Sequence, residues 1–432
     1  MPPRRRLAVG LAAWGGTLLL ASAAPGPAAG ARVERLLLVT LDALRADEPG
    51  AAGGPAPTPH LDRLVREGVL VDGAYTPIPS SGPAHASLLT GLHPWSHGVE
   101  RNTLALDPRS PTLADALRRR GLATAAFVSS RLLGARFGFH QGFGHFHFDP
   151  TEPLVFRRRR VDRFWSRGGS TAREAMRWLT ANASRPFFVW VHLTDPAPPW
   201  EAPPGFALPP SEPVELGPGP LPTDVRGADL LRRLIRAHRG EVAYADAQLG
   251  ALLQRLRLLA LEGETAVVVA SVHGAGLGDH GLLAHGGNLY EELVRAVLVA
   301  RGPGLPAGRR LAGLAQLEDL APTLLAWVGA EAPGPLDGLD LLPWLRGQAP
   351  RSPREAALGR RRAHPREPDL YFVRAGAAKW IGRPDAGGTW FDLDRDPREL
   401  AGRPGSGMPE PLRRALAGAP GANSPGPPPQ SR

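Results

Sequence analysis

The chain has 432 residues, which is enough for one large α/β domain with a small appendage. It contains no cysteine, which excludes disulfides and a lipidated N-terminal cysteine. Its net charge of +10 comes almost wholly from arginine, in a chain that also carries 52 Gly and 48 Pro. We interpret the charge as a compositional bias of the whole chain, and we expect no nucleic-acid partner.

The first 31 residues have the pattern of a targeting segment. Residues 4–6 are arginines, residues 7–20 are mainly apolar, and Ala21-Ser22-Ala23 matches a small-residue cleavage site. The pattern predicts an exported protein, periplasmic or secreted, with an uncleaved N-terminal anchor as the alternative. No second hydrophobic run is long enough to span a bilayer, so we expect no other membrane contact.

Strand and helix patterns then alternate along the chain. Apolar runs predict buried strands over residues 34–41, 123–129, 187–193, 266–271 and 293–300. Helical patterns open at Thr58 and cover residues 111–120, 228–261 and 316–328. This alternation is typical of a mostly parallel sheet, whose strands bind ligands at their carboxyl ends. Residues 351–402 predict a small antiparallel sheet, and the Pro/Gly-rich residues 403–432 predict a disordered tail.

The stretch from Ser81 to Gly91 carries the most informative local pattern. Pro83 suits the first position of a helix, and Gly91 suits its left-handed end. Ser81 would then lie over the positive end of that helix, where free N–H groups favour a bound anion. A serine in this place is most often only a helix cap, so the rest of the chain decides its role.

Several motifs, in a shared order, resemble the sulfatase and phosphodiesterase branches of the alkaline phosphatase superfamily. The resemblance covers residues 34–400 and rests on segments 39–47, 58–64, 81–102, 271–281, 321–325 and 390–397. It implies an alkaline-phosphatase-like fold of the α/β class. That fold is a three-layer α/β/α sandwich over residues 34–350 with a small antiparallel C-terminal subdomain over residues 351–402.

The resemblance also implies a chemistry and the residues that carry it. Ser81 matches the nucleophile, and Asp42 and His273 match metal ligands. The residues that match substrate-binding positions are His85, Asn102 and His285. The implied substrate is an anionic phosphate or sulfate ester, whose cleavage needs a nucleophile, a cation and donors for the charged oxygens. The implied cofactor is one divalent metal such as calcium or magnesium.

The chain departs from the family pattern at three positions. Val272 stands where the family has a second metal-binding carboxylate, which predicts a metal bound weakly or not at all. Ala197 stands where relatives often have a substrate-contacting histidine. His85 replaces the arginine that directs conversion of the nucleophile to formylglycine. We therefore expect Ser81 to remain a hydroxyl, which suits phosphate esters better than sulfate esters.

Three interpretations stay open at this point. The first is a weak hydrolase of phosphate or sulfate esters that uses Ser81 with Asp42 and His273. The second is a catalytically inactive protein that keeps the fold for binding. The third, a phosphoethanolamine- or phosphoglycerol-type transferase, usually comes with several membrane spans, which this sequence does not show.

Overall fold

The computed structural model of the protein describes residues 32–150, 152–156, 159–208, 225–361, 369–383 and 386–405, with residues 407 and 413. The expected targeting segment, residues 1–31, lies outside the described residues. So does the expected tail beyond residue 405, apart from residues 407 and 413. No helix among the described residues combines the length and the apolar character needed to cross a bilayer.

The described strands form three sheets. In chain order they are β1 (Arg35–Leu41), β2 (Val69–Tyr75), β3 (Ala123–Val128), β4 (His145–His147), β5 (Glu152–Phe156), β6 (Arg159–Trp165), β7 (Phe187–Leu193), β8 (Thr265–Ser271), β9 (Arg295–Ala296), β10 (Leu298–Arg301), β11 (Arg309–Gln316), β12 (Ala357–Arg361), β13 (Leu370–Ala375), β14 (Ala378–Arg383), β15 (Gly387–Asp392) and β16 (Arg403–Gly405). The central sheet runs β11-β2-β10-β8-β1-β7-β3-β4, with β9 beside β2. β1 lies parallel between β7 and β8, while β10 is antiparallel to both of its neighbours.

Helices cover both faces of the central sheet. They are α1 (Pro59–Glu67), α2 (Ser81–Thr90), α3 (Pro94–His97), α4 (Leu113–Arg119), α5 (Gly168–Ala181), α6 (Val225–Leu258), α7 (Glu291–Val294), α8 (Leu320–Val328) and α9 (Leu342–Leu345). Side chains alternate between the two faces of β1. Leu36 and Leu38 therefore pack with α2, α4 and α8, whereas Leu37 and Val39 pack with α1, α5 and α6. This arrangement is the predicted three-layer sandwich.

The C-terminal subdomain is the predicted antiparallel sheet, with its strands β12 to β16 in sequential order. It extends past the expected boundary at residue 402, because β16 pairs with β15. The buried ammonium of Lys379 ties this sheet to the large domain: its Nζ lies 2.9 Å from a carboxylate oxygen of Glu291 in α7. It also lies 3.0 Å from Oε1 of Glu399.

Two predicted elements have different bounds in the structure. The strand predicted over residues 293–300 starts later, because the amides of Leu293 and Val294 donate to the carbonyl of Tyr290 and close a helical turn. In addition, α2 starts at Ser81, so that Pro83 is its third residue and not its first. Gly91 ends α2 as predicted, in the left-handed conformation with φ 71°.

Candidate active site

The ends of β1 and β8 and the start of α2 bring three polar side chains into contact. The hydroxyl Oγ of Ser81 donates to Oδ2 of Asp42 at 2.9 Å. The same Oγ lies 3.3 Å from Nε2 of His273, which is 3.6 Å from Oδ1 of Asp42. All three residues are at most 3 % exposed. The structure thus places the three residues that match nucleophile and metal-ligand positions in one cluster.

The carboxylate of Asp42 is buried and only partly satisfied. Its Oδ2 accepts from Ser81 and, at 3.3 Å, from the hydroxyl of Thr194. Its Oδ1 accepts no hydrogen bond from any described residue. Burial alone would raise the pKa of Asp42, but the adjacent imidazoles, His192 first and then His273, outweigh burial and hold that pKa well below its usual range. Asp42 is therefore a carboxylate with a free oxygen.

The imidazole of His273 is neutral and presents a lone pair to the cluster. Burial lowers the pKa of His273 to about 3. A carbonyl oxygen can only accept a hydrogen bond, so the 2.9 Å contact with Gly274 O puts the ring proton on Nδ1. The lone pair on Nε2 then faces Ser81 and the free oxygen of Asp42. The lone pair of His273 Nε2 and the free carboxylate oxygen of Asp42 therefore face each other, and such an arrangement is stabilised by a proton or a cation between them.

Asn102 and His285 line the cavity above Ser81. The carboxamide oxygen of Asn102 accepts from the amide of Gly82 at 2.8 Å, which leaves the amide nitrogen as the group able to donate to an anion. The ring of His285 stacks on that of His273, with 3.9 Å between centroids. Its Nδ1 donates to Pro79 O at 3.1 Å, and burial lowers its pKa. His285 is therefore a neutral acceptor.

His85 lies behind Ser81 and not in the cavity. Its Nδ1 donates to the carbonyl of Ser81 at 2.7 Å, and its Nε2 lies 2.9 Å from the hydroxyl of Thr40. That hydroxyl accepts from Nε1 of Trp190 at 2.9 Å, so its own proton points to His85. Burial lowers the pKa of His85 to about 3, so the ring is neutral. Both nitrogens of His85 are occupied, and the ring holds the backbone of Ser81 where a substrate contact was expected.

Val272 is the neighbour of Asp42 on the adjacent strand. Its amide donates to Leu41 O at 3.0 Å, which continues the parallel pairing of β1 with β8. Its side chain is fully buried in the apolar cluster under α2. A carboxylate in its place would lie on the face of the sheet that Asp42 occupies. Compared with the family pattern, valine at this position removes one negative charge from the cluster, while the pairing of β1 with β8 continues through it.

The donors present fit a cation only weakly. Asp42, Ser81 and His273 supply one negative charge, whereas calcium takes six to eight oxygen ligands and magnesium demands six. A second group, Asp42, His85 and His192, has donor atoms within 4.8 Å of one another. His85 uses both of its nitrogens in hydrogen bonds, so it would first have to release one of them. The free oxygen of Asp42 is the best single indication of a cation site.

The cavity above Ser81 has a volume of about 240 Å³. Its polar floor consists of Asp42, Ser81, Asn102, Thr194 and His285. Its apolar wall, as we call it below, consists of Leu132, Trp165, Ala197, Pro198 and Pro199. Ser130, Arg167 and Asp195 complete the lining. A cavity of this size over a buried hydroxyl and a carboxylate is typical of a binding site for a small molecule.

The sequence model of the sulfatase family matches residues 35–330. The chain belongs to the sulfatase family. The matched residues contain every member of the cluster and all of the cavity lining, so this chain carries its candidate site in the part that defines the family. The family assignment and the fold confirm the resemblance seen in the sequence.

Individual relatives agree with the family assignment. The chain is 27 % identical to the multifunctional alkaline phosphatase superfamily protein PehA of Trinickia caryophylli, over 72 % of this chain and 77 % of that protein. It is 25 % identical to an ulvan-active sulfatase of Formosa agariphila, over 74 % and 66 %. The crystal structure of the phosphonate monoester hydrolase of Agrobacterium radiobacter superimposes with a TM-score of 0.71 at 24 % identity, over 85 % of this chain and 91 % of that one. At this identity the structural likeness establishes the fold.

Two residues of the cluster were not among the sequence candidates. His192 lies in β7, and its Nε2 is 3.3 Å from Oδ2 of Asp42. Thr194 follows β7 and donates to the same oxygen. The signal for both is positional, because β7 lies parallel beside β1 and its carboxyl end must reach the same edge of the sheet. In the sequence, His192 stands within an apolar run and resembles a core residue.

Proposed function

We propose that the protein is a slow hydrolase of phosphate or sulfate esters in which Ser81 is the nucleophile. The observation that carries the proposal is the contact of Ser81 Oγ with Asp42 Oδ2 at 2.9 Å and with His273 Nε2 at 3.3 Å, at the base of a cavity. A buried hydroxyl between two proton acceptors is able to lose its proton as it attacks. The relatives that match the chain support ester hydrolysis as the reaction class.

The reaction follows from the positions of the side chains. Oγ of Ser81 forms a bond to phosphorus or sulfur while the bond to the alcohol oxygen of the ester breaks, and the hydroxyl proton passes to His273 Nε2. The departing alcohol oxygen takes a proton from a water molecule. The resulting hydroxide attacks phosphorus or sulfur, the bond to Oγ breaks, and His273 returns its proton to Oγ, so that the acid is released from Ser81. The amide nitrogen of Asn102 donates to a charged oxygen as negative charge shifts in the transition state. If a divalent metal were bound instead, Asp42, Ser81 and His273 would hold it, and the cation would take the place of His273 in favouring the deprotonated hydroxyl.

Slow turnover is expected from the same residues. General bases work best when their pKa lies near the operating pH. The pKa of His273 lies at about 3, and that of Asp42 lies well below its usual range. Val272 stands in place of a metal-binding carboxylate, so we expect weak binding of the metal that would help Asp42 and His273 to deprotonate Ser81. Because Ser81 is expected to remain a hydroxyl, we propose phosphate esters as better substrates than sulfate esters.

A binding protein without catalysis is the second candidate. Val272 favours it, because this apolar and fully buried side chain lies beside Asp42 at the position where the family has a second metal-binding carboxylate. In this case the cavity and Asn102 would still bind an anionic ester.

Turnover of chromogenic aryl phosphate, aryl phosphodiester and aryl sulfate esters separates the two candidates. We expect slow hydrolysis by the native protein that the Ser81→Ala variant loses. The matched control is Ser87→Ala, which removes a buried hydroxyl from the same helix but outside the cavity. Equal turnover by Ser81→Ala and native protein would exclude Ser81 as the nucleophile. Binding of the esters without turnover would favour the binding protein.

Export is part of the proposal. The pattern of residues 1–31 supports passage to the periplasm or the medium, where anionic esters from outside the cell are met first. The proposal is tested by the N-terminal residue of the mature protein, as described below.

A further inference from the structure

We propose that the apolar wall of the cavity is a subsite for one planar apolar ring, carried by the alcohol half of the ester. The inference deepens the proposed function and rests on it, because the ring belongs to the group that leaves when Ser81 attacks. Trp165 is the residue that we expect to determine the specificity. The subsite makes aryl esters, rather than sugar or alkyl esters, the substrate class.

The position of the wall relative to the nucleophile supports this occupant. Trp165 ends β6, where it pairs with Ser130 just after β3. Leu132 follows that pairing, and Pro198 and Pro199 follow β7. The wall therefore stands on loops at the same sheet edge as Ser81 and lines the same cavity. We place the alcohol half of the ester against this wall, with its phosphorus or sulfur atom at Ser81.

The volume of the cavity fits a single ring. A cavity of about 150 Å³ lined by apolar side chains is known to hold one benzene molecule. The cavity above Ser81 measures about 240 Å³, which leaves room for the tetrahedral anion beside one ring.

The chemistry of the apolar wall favours a ring over a sugar or a second anionic group. Sugars need several hydrogen-bonding side chains, and those of this cavity lie outside the wall, whose five side chains include no hydroxyl, amide or charged group. Arg167 is a cation in the lining, but its guanidinium donates to the carboxylate of Glu241 at 2.9 Å and to Glu201 O at 2.8 Å. Asp42 and Asp195 add acidic groups. An uncharged aromatic ring packs on indole and proline surfaces without any of these partners.

Ligand binding tests the subsite without requiring turnover. Phenylphosphonate and methylphosphonate carry the same anion and differ by the ring, and phenol carries the ring without the anion. We expect native protein to bind phenylphosphonate at least tenfold more tightly than methylphosphonate by titration calorimetry. The Trp165→Ala variant should bring this ratio below twofold, and Trp165→Phe should keep most of it. Trp390→Ala, which removes a half-buried indole in the C-terminal subdomain, is the matched control and should leave the ratio unchanged.

Phenol separates failure of the subsite from failure of the anion site. If neither phosphonate binds but phenol binds native protein and Trp390→Ala more tightly than Trp165→Ala, the ring subsite stands and the proposed function falls. A native ratio near one with both phosphonates bound would overturn the inference. So would a ratio that survives in folded Trp165→Ala, or a phenol affinity that does not depend on Trp165.

Discussion

Replacing Val272 by aspartate tests whether a second carboxylate beside Asp42 lowers stability without metal and raises the affinity for metal. The new carboxylate would stand next to Asp42 on an adjacent strand, where backbones lie about 4.8 Å apart. Two like charges about 4 Å apart repel by about 4 kcal/mol at the effective dielectric of a protein surface. An uncompensated buried charge costs about 3–5 kcal/mol by itself. We therefore expect Val272→Asp without metal to lose at least about 3–5 kcal/mol of the free energy of unfolding.

A divalent cation should reverse much of that loss, because it lies between the two carboxylates. We expect Val272→Asp to bind calcium or magnesium at least tenfold more tightly than native protein, about 1.4 kcal/mol. Metal at a hundred times its dissociation constant should restore about 2.7 kcal/mol. The variant should also gain turnover that Ser81→Ala removes. Titration calorimetry and thermal unfolding, each with chelator and with metal, measure both effects.

Val272→Asn provides the control, because it has the same shape without the charge. It should lose stability because its amide lies in the apolar cluster under α2, and it should recover little of that stability with metal. An equal gain in stability with metal for Val272→Asp and Val272→Asn would contradict a role for the charge. Tight metal binding and fast turnover by the native protein would contradict it too, since another group would then supply the missing charge.

Three further predictions use the same structure. Peptide mass spectrometry across residues 65–101 should find Ser81 as a hydroxyl, and an aldehyde mass would reverse the preference for phosphate esters. Burial lowers the pKa of His85, His97 and His273 to about 3 in the folded state, whereas the same side chains in the unfolded chain take up protons below about pH 6.5. The contribution of these histidines to the free energy of unfolding should therefore be complete above about pH 6.5 and decrease as the pH falls toward 3. Each histidine contributes about 1.4 kcal/mol per pH unit, so His97→Gln should reduce the acid slope by about that amount, and an unchanged slope in chemical denaturation would contradict the assignment. N-terminal sequencing of exported protein should start near residue 24, whereas a retained Met1 would favour the uncleaved anchor.

The sequence predicted the central strands and the meeting of Asp42, Ser81 and His273, because apolar runs and short motifs indicate both. An apolar run followed at once by Asp42 or by Ser271-Val272-His273 predicts a strand end at the ligand-binding edge, and the structure has both. What the sequence missed depends on neighbours far along the chain. His192 meets Asp42 only because β7 pairs with β1. The role of His85 depends on Trp190, which is distant in sequence and close in space.

The same reasoning explains the shifted boundaries. Leu293 and Val294 are apolar enough for a strand, but they complete a helical turn that Glu291 begins. Arg403–Gly405 has the composition of a tail, yet it finds an open edge on β15. For β16 a partner elsewhere in the fold outweighed local preference, whereas the turn at Leu293 and Val294 is closed by the nearby carbonyl of Tyr290.

The hydrogen-bonded row from Trp190 through Thr40 and His85 to the Ser81 carbonyl has a consequence for engineering. An arginine at residue 85 would bring five N–H donors and no acceptor into a space where Thr40 now needs an acceptor for its proton. His85→Arg alone would therefore leave the Thr40 hydroxyl without its acceptor, and the new charge would draw on Asp42, whose carboxylate lies within 4.8 Å of a His85 nitrogen and belongs to the cluster. Recreating the formylglycine signal in this chain is not a one-residue change, and a designer would have to rebuild Thr40 and Trp190 together with it.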